Sequence, residues 1–158
     1  MPDKINKTCV LLLTHIADSA TYRHYDSLKS QIPSDFDLFL LGDNSNSAFT
    51  NKKNETNYFL FTSERLQQLG YPRKTGARYL DEQRSRNPHH KDFNMPPGNG
   101  DLPVMEFFRS HPDYDHYWVV EYDVRFSGHW NDFFSAYMAS DADLLCTTLV
   151  RYPETPDW

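Results

Sequence analysis

Thr8-Cys9-Val10-Leu11-Leu12-Leu13-Thr14 is an unbroken apolar run between two threonines. A strand with one wet face alternates apolar and polar residues. A run with no polar position inside it reads as a strand covered on both faces, the situation of a parallel sheet. Parallel neighbours need a crossover, and the next residues supply one. Thr21, Tyr25, Leu28 and Ile32 recur at helical spacing on one stripe, with Asp18 or Ser19 placed to cap the helix and Pro33 to end it. A second apolar run, 36–41, leads into Gly42-Asp43-Asn44. Strand, helix and strand in this order predict an α/β fold, a Rossmann-like, mostly parallel sheet flanked by helices with right-handed crossovers.

The alternation continues downstream. Residues 45–57 are polar, rich in Asn and Lys, and read as a loop; Tyr58 to Phe61 is a short strand; Ser63 can cap a helix through Leu69 that Gly70 and Pro72 end. From 73 to 100 no period is visible, and Pro88, Pro96, Pro97, Gly98 and Gly100 punctuate the stretch, which reads as a lid or mobile loop. Asp101 then caps a helix with Leu102, Met105 and Phe108 on one stripe and Pro103 in its first turn. Tyr117-Trp118-Val119-Val120 is the next strand and runs into Glu121-Tyr122-Asp123. Asn131 or Asp132 opens a helix with Phe133, Phe134, Tyr137 and Met138 inward, and 142–149 is a last strand. The 158 residues fit one domain. Trp158, close behind Pro153 and Pro156, is an odd place for a complete domain to finish. The chain therefore reads as a fragment or a short member of a longer family, unless Trp158 packs back on the sheet.

Charge and cysteine content exclude several classes. The net charge of -6 lacks the basic footprint that general nucleic-acid binding needs. It is unevenly spread: between 73 and 91, Arg73, Lys74, Arg78, Arg84, Arg86 and Lys91 face only Asp81 and Glu82, leaving that strip at about +4 and the rest at roughly -10. Such a strip can meet phosphate groups or be a solvated loop. Cys9 and Cys146 both lie in apolar, strand-like runs, where free thiols behave as small hydrophobes; a reducing compartment is the simplest reading. No signal peptide shows, and nothing approaches the roughly 20 apolar residues of a membrane span, so the expected location is cytoplasmic, with no transmembrane segment.

In open parallel sheets, ligands bind beyond the carboxyl ends of the strands. That rule selects Thr14-His15, Asp43-Asn44, Thr62-Ser63 and Glu121-Tyr122-Asp123-Val124-Arg125. In the last, a strand that persisted would put Glu121, Asp123 and Arg125 on one face. Two carboxylates so close repel each other unless a cation or Arg125 sits between them. Hard cations such as magnesium or manganese take oxygen ligands and also hold diphosphates. The plainer alternative is that Glu121 or Asp123 caps a turn and pairs with Arg125. Other signals are weaker: His89-His90 lacks a spaced partner, Ser63 reads as a cap, and Gly98-x-Gly100 lacks both a third glycine and a preceding strand. Trp130 either packs or faces a sugar ring.

An apolar strand ending in an acid-x-Asp triplet, late in a nucleotide-binding α/β half, resembles the N-terminal part of GT-A fold glycosyltransferases. The family's usual triplet is Asp-x-Asp, and here Glu121 stands first. The resemblance implies transfer of a sugar from a nucleotide-sugar donor, with manganese or magnesium bridging the donor's diphosphate. It implies Asp123 as direct metal ligand and Glu121 as contact to ribose, sugar or metal-bound water. It also implies donor contacts from Thr14 and His15 after the first strand, Asp43 after the second, and Asn99 and Asp101 before the flanking helix; Arg125, or bases of the 73–91 strip, would assist the donor electrostatically. The family's acceptor-binding half and catalytic base lie beyond a point such as Arg151, so no base and no acceptor are assigned. Two rival readings are a nucleotidyltransferase, which would show a glycine-rich basic loop after the first strand, and a non-catalytic binding or interaction domain.

Overall fold

A computed structural model describes residues 7–45, 47–49, 55–70, 100–140 and 142–146. The described elements, in order, are β1 (Thr8–Thr14), α1 (Ser19–Gln31), β2 (Phe36–Asp43), β3 (Tyr58–Phe61), α2 (Ser63–Gln67), α3 (Asp101–Ser110), β4 (His116–Glu121) and α4 (Trp130–Tyr137). The sheet has four strands in the order β3-β2-β1-β4, and every pairing is parallel. The architecture is thus α/β with helices on both faces of a parallel sheet, consistent with a Rossmann-like fold.

β1 is the reason. Cys9, Val10, Leu11 and Leu12 are all fully buried, and period two sends them to opposite faces. Val10 and Leu12 meet Tyr25 and Leu28 of α1, Leu38 and Leu40 of β2, Val120 of β4, and Trp130 and Phe134 of α4. Cys9 and Leu11 meet Leu41, Phe61, Leu66 of α2, and Leu102 and Phe107 of α3. Each face of one strand therefore organises its own helix layer. Gly42 shows how tight the first layer is: a Cβ there would lie 2.9 Å from a Leu60 methyl and 3.2 Å from the ring of the fully buried Phe49.

Helix boundaries follow local chemistry. Asp18 caps α1, its carboxylate accepting the Thr21 N–H at 2.7 Å, which draws the Asp18 carboxyl below its usual range. Thr62, rather than Ser63, caps α2, and Gly70 closes that region with φ +80. Gly100, not Asp101, occupies the cap position of α3 and makes no side-chain cap bond; Asp101 lies in the first turn. The buried stripe of α3 is Leu102, Pro103, Glu106 and Phe107, while Phe108 is exposed. Glu106 is held inward by a hydrogen-bonded ion pair with Arg65 of α2, whose guanidinium also lies over Phe59. α4 begins at Trp130 with His129 as cap, and Tyr137 and Met138 are exposed rather than inward. Trp130 is buried against Phe134, at 5.6 Å between ring centroids, so it packs. Of the expected strand 142–149, residues 142–146 are irregular and exposed, Cys146 included, and the rest lie outside the described residues. The expected lid also lies outside them, except Gly100. Among the described residues no helix is long and apolar enough to cross a membrane.

Truncating a fully buried β1 residue leaves a cavity between two helix layers. Leu11→Ala should cost about 2–5 kcal/mol in urea unfolding followed by circular dichroism. Leu144→Ala, at a side chain 67% exposed, should stay within about 0.5 kcal/mol.

Candidate functional site

The strand order reverses at β1: the chain steps from β1 out to β2 and β3, then returns to lay β4 on β1's other side. In open parallel sheets, ligands bind at such a reversal, beyond the carboxyl ends of the two diverging strands; those ends are Thr14-His15 and Glu121-Tyr122. The last rung of the β1–β4 ladder sets Leu13 opposite Glu121, and the Tyr122 N–H then donates to the Leu13 carbonyl at 2.9 Å. This bond brings the His15 and Tyr122 rings together edge to face, 5.0 Å between centroids. Thr14 is less available. It is buried, and its hydroxyl closes a local turn, accepting the Ile16 N–H at 2.9 Å and lying 3.0 Å from the Ile16 carbonyl.

β4 stops at Glu121. The Val124 N–H donates to the Glu121 carbonyl at 3.0 Å, so 121–124 forms a turn, and the strand does not persist to Arg125. The expected shared face of Glu121, Asp123 and Arg125 is therefore replaced by a turn that presents both acids to solvent. The Arg125 guanidinium donates from one nitrogen to the Tyr122 carbonyl at 2.6 Å and the Val124 carbonyl at 2.9 Å, fastening the turn to itself. Among the described residues, no side-chain hydrogen bond or ion pair engages Glu121 or Asp123. The expected alternative, an acid paired with Arg125, is not what the turn does.

His24 of α1 is a further buried polar residue. It is 7% exposed, and its Nε2 is buried with no hydrogen-bond partner among the described residues. Burial, with the Arg125 charge second, holds its pKa below the ordinary histidine value. A histidine inside a helical stripe carries no sequence signal that separates it from its apolar neighbours, so His24 escapes a reading by periodicity.

The other expected positions part company. Asp43 is 7% exposed, and its Oδ1 accepts the Ser45 N–H at 2.9 Å and the Ser45 hydroxyl at 2.5 Å. The Ser45 Oγ in turn accepts the Ser63 N–H at 2.9 Å and lies 2.9 Å from the Ser63 hydroxyl. Asp43 thus knits the end of β2 to the start of α2. Asp101 is exposed at the start of α3, close to β1's end through Gly100, where an added Cβ would meet a Leu13 methyl at 3.3 Å. Asn99 lies outside the described residues. No group of three or more His, Cys, Asp or Glu side chains among the described residues forms a ready metal cage.

A groove of ≈ 590 Å³ lies elsewhere: Thr8, Phe36 and His116 place it at the amino ends of the strands, between them and Tyr137, Met138, Leu144 and Leu145. We locate the candidate site at the carboxyl ends instead, because there the strand order reverses and the Glu121 and Asp123 side chains make no bond among the described residues. The contrast between Asp43 and the turn acids has a measurable consequence. Ser45→Ala should cost about 1–3 kcal/mol in chemical unfolding by stranding buried polar partners. Glu121→Ala and Asp123→Ala should each stay within about 0.5 kcal/mol.

Residues 57–142 match a protein family described as "Protein of unknown function (DUF3405)". The match runs from the approach to β3 past α4, so it takes in the turn acids but neither β1 nor β2. No curated protein and no solved structure matches the chain.

Proposed function

This chain belongs to the family of proteins of unknown function DUF3405, and within it we propose a metal-dependent glycosyltransferase, or the donor-binding part of one, that takes a sugar from a nucleoside diphosphate sugar. The observation that carries the reading is the pair Glu121 and Asp123: two exposed carboxylates two residues apart, without a side-chain bond among the described residues, on a turn fastened to the end of β1 where a parallel sheet receives its ligands.

Manganese or magnesium fits this donor set. Magnesium in phosphate-handling sites takes one or two carboxylates and completes its shell with water and substrate phosphates, so two acids without a third protein ligand suffice. Asp123 is the direct ligand, and Glu121 contacts metal-bound water, ribose or sugar. When bound, the cation supplies Lewis-acid compensation of the charge that grows on the departing diphosphate. The chain's own groups do the placing. The Tyr122 N–H bond to Leu13 fixes the height of the turn against β1, and His15 offers an exposed ring beside it. Arg125, exposed and already anchored by one guanidinium nitrogen, adds a fixed positive charge near the diphosphate. Asn99 and Asp101 remain candidates for sugar hydroxyls. The expected cytoplasmic location is part of this same proposal.

A second reading, a non-catalytic interaction domain, draws on the groove at the opposite end, where Tyr137, Met138, Leu144 and Leu145 are exposed. Titration calorimetry separates the two. UDP or GDP binding should require manganese and be lost in Asp123→Ala, while Glu121→Gln should weaken it on the order of 10–100-fold. Nucleotide binding that ignores manganese, or that survives Asp123→Ala, refutes the transferase reading.

A further inference from the structure

The exposed apolar side chains of this chain are not scattered. Val119, Tyr137, Met138, Leu144 and Leu145 gather along β4, the end of α4 and the residues beyond it. The last four line the ≈ 590 Å³ groove at the amino ends of the strands, which Phe36 and the half-buried Trp118 also line. The Trp118 ring lies 5.9 Å from that of Tyr137 and 5.7 Å from that of Phe133, between centroids. Phe133 in turn lies 5.3 Å from the exposed Phe126. Aromatic rings therefore continue out of the groove as a track that several residues of extended chain would cover. A contiguous apolar surface of this kind marks an interaction site.

The groove also carries charge of one sign. Asp35, Asp115 and Asp143 line it, and no lysine or arginine does so among the described residues. Asp115 accepts the Lys7 N–H at 2.9 Å, while the Lys7 ammonium sits over the Tyr114 ring, 4.3 Å from its centroid. The three acids do not converge on a point as a metal cage would. Carboxylates spread along an aromatic groove suit cations that are themselves spread along a chain. Guanidinium and ammonium groups pair with carboxylates and lie on the faces of Trp and Tyr rings, and their aliphatic stems cover apolar surface. A small amine would leave the ring track beyond the groove bare, whereas an extended peptide covers both.

We propose that this groove docks an extended basic segment of a partner protein, one that carries both arginine or lysine and aliphatic residues. Its cations meet Asp35 and Asp143, and its aliphatic side chains settle against Trp118, Tyr137 and Leu144. The rim charges set orientation and the rate of encounter, and the ring track supplies the apolar area that holds the complex. The proposal gives a partner to the groove on which the second, non-catalytic reading draws. It also holds whether or not the turn acids bind a cation, because groove and turn lie at opposite ends of the sheet.

The test uses the full chain and a fluorescein-labelled hexapeptide of alternating arginine and leucine, read by fluorescence anisotropy. Affinity should fall about tenfold or more in the double charge reversal Asp35→Lys with Asp143→Lys, and roughly tenfold in Leu144→Asp, all at exposed positions that folding does not need. Peptides with glutamate in place of arginine, or serine in place of leucine, should likewise bind about tenfold more weakly or worse. Amide shifts on adding the peptide should centre on Trp118, Tyr137 and Leu144. The proposal is overturned if the charge reversal leaves affinity unchanged, if the arginine–serine peptide binds as well, or if the shifts centre on the 121–125 turn. A dimer that Leu144→Asp disperses, or nuclear Overhauser contacts from residues 147–158 to the groove in the free chain, assigns the groove another occupant and overturns it too. No readout uses nucleotide or manganese, so failure here is distinct from failure of either reading above, which calorimetry decides.

Discussion

Everything in this structure depends on β1 being enclosed on all four sides. Its two edges are taken by β2 and β4 and its two faces by α1 with α4 and α2 with α3. A strand so enclosed has one end where its chain can meet a ligand, because the loop that leaves it must surface. Laying β4 beside β1 after two strands on the other side sets a second carboxyl end next to the first. The Tyr122 bond to the Leu13 carbonyl then converts adjacency into a fixed geometry: His15, Tyr122 and the acidic turn become neighbours although more than a hundred residues separate them in the chain.

Much of this was legible in the chain before any coordinates. The apolar run from Thr8 to Thr14 announced a doubly buried strand because no polar residue interrupts it, and Asp18 announced a helix start because a carboxylate three residues before Thr21 can take its N–H. Residues 121–125 stood out because they follow the buried-type run from Tyr117 to Val120. Of that run only Val120 is buried and Val119 is 43% exposed, so that reason for a purpose loses its force. Other features depend on partners that no local pattern displays. The stripe of α3 rotated toward Glu106 because Arg65, 41 residues away, neutralises it. Glu121 ended β4 because its carbonyl found Val124, replacing a strand's period by a turn's. Asp43 looked like a free acid at a strand end, yet two serines, one 18 residues beyond the other, hold it in the scaffold. His24 gave no signal at all, since a helical stripe reads the same whether its histidine is bonded or stranded.

The two acidic settings separate structure from function on one criterion. A carboxylate that folding uses is buried and bonded, as Asp43 and Glu106 are. Glu121 and Asp123 are instead exposed, without a side-chain bond among the described residues, on a turn held by backbone hydrogen bonds, the setting the proposed cation site requires. Neither turn acid is paired with a cation among the described residues, and Arg125 spends its hydrogen bonds on the backbone instead. The proposed cation would engage these two side chains.

The most direct measurement is therefore paramagnetic: manganese added in small amounts to the isotope-labelled chain, with line broadening mapped by residue. The account predicts that broadening begins at the amides of His15, Glu121, Tyr122 and Asp123 and fades with distance from them. Broadening that begins instead at Asp35, Asp115 and Asp143, the acids of the groove at the opposite end of the sheet, would contradict it.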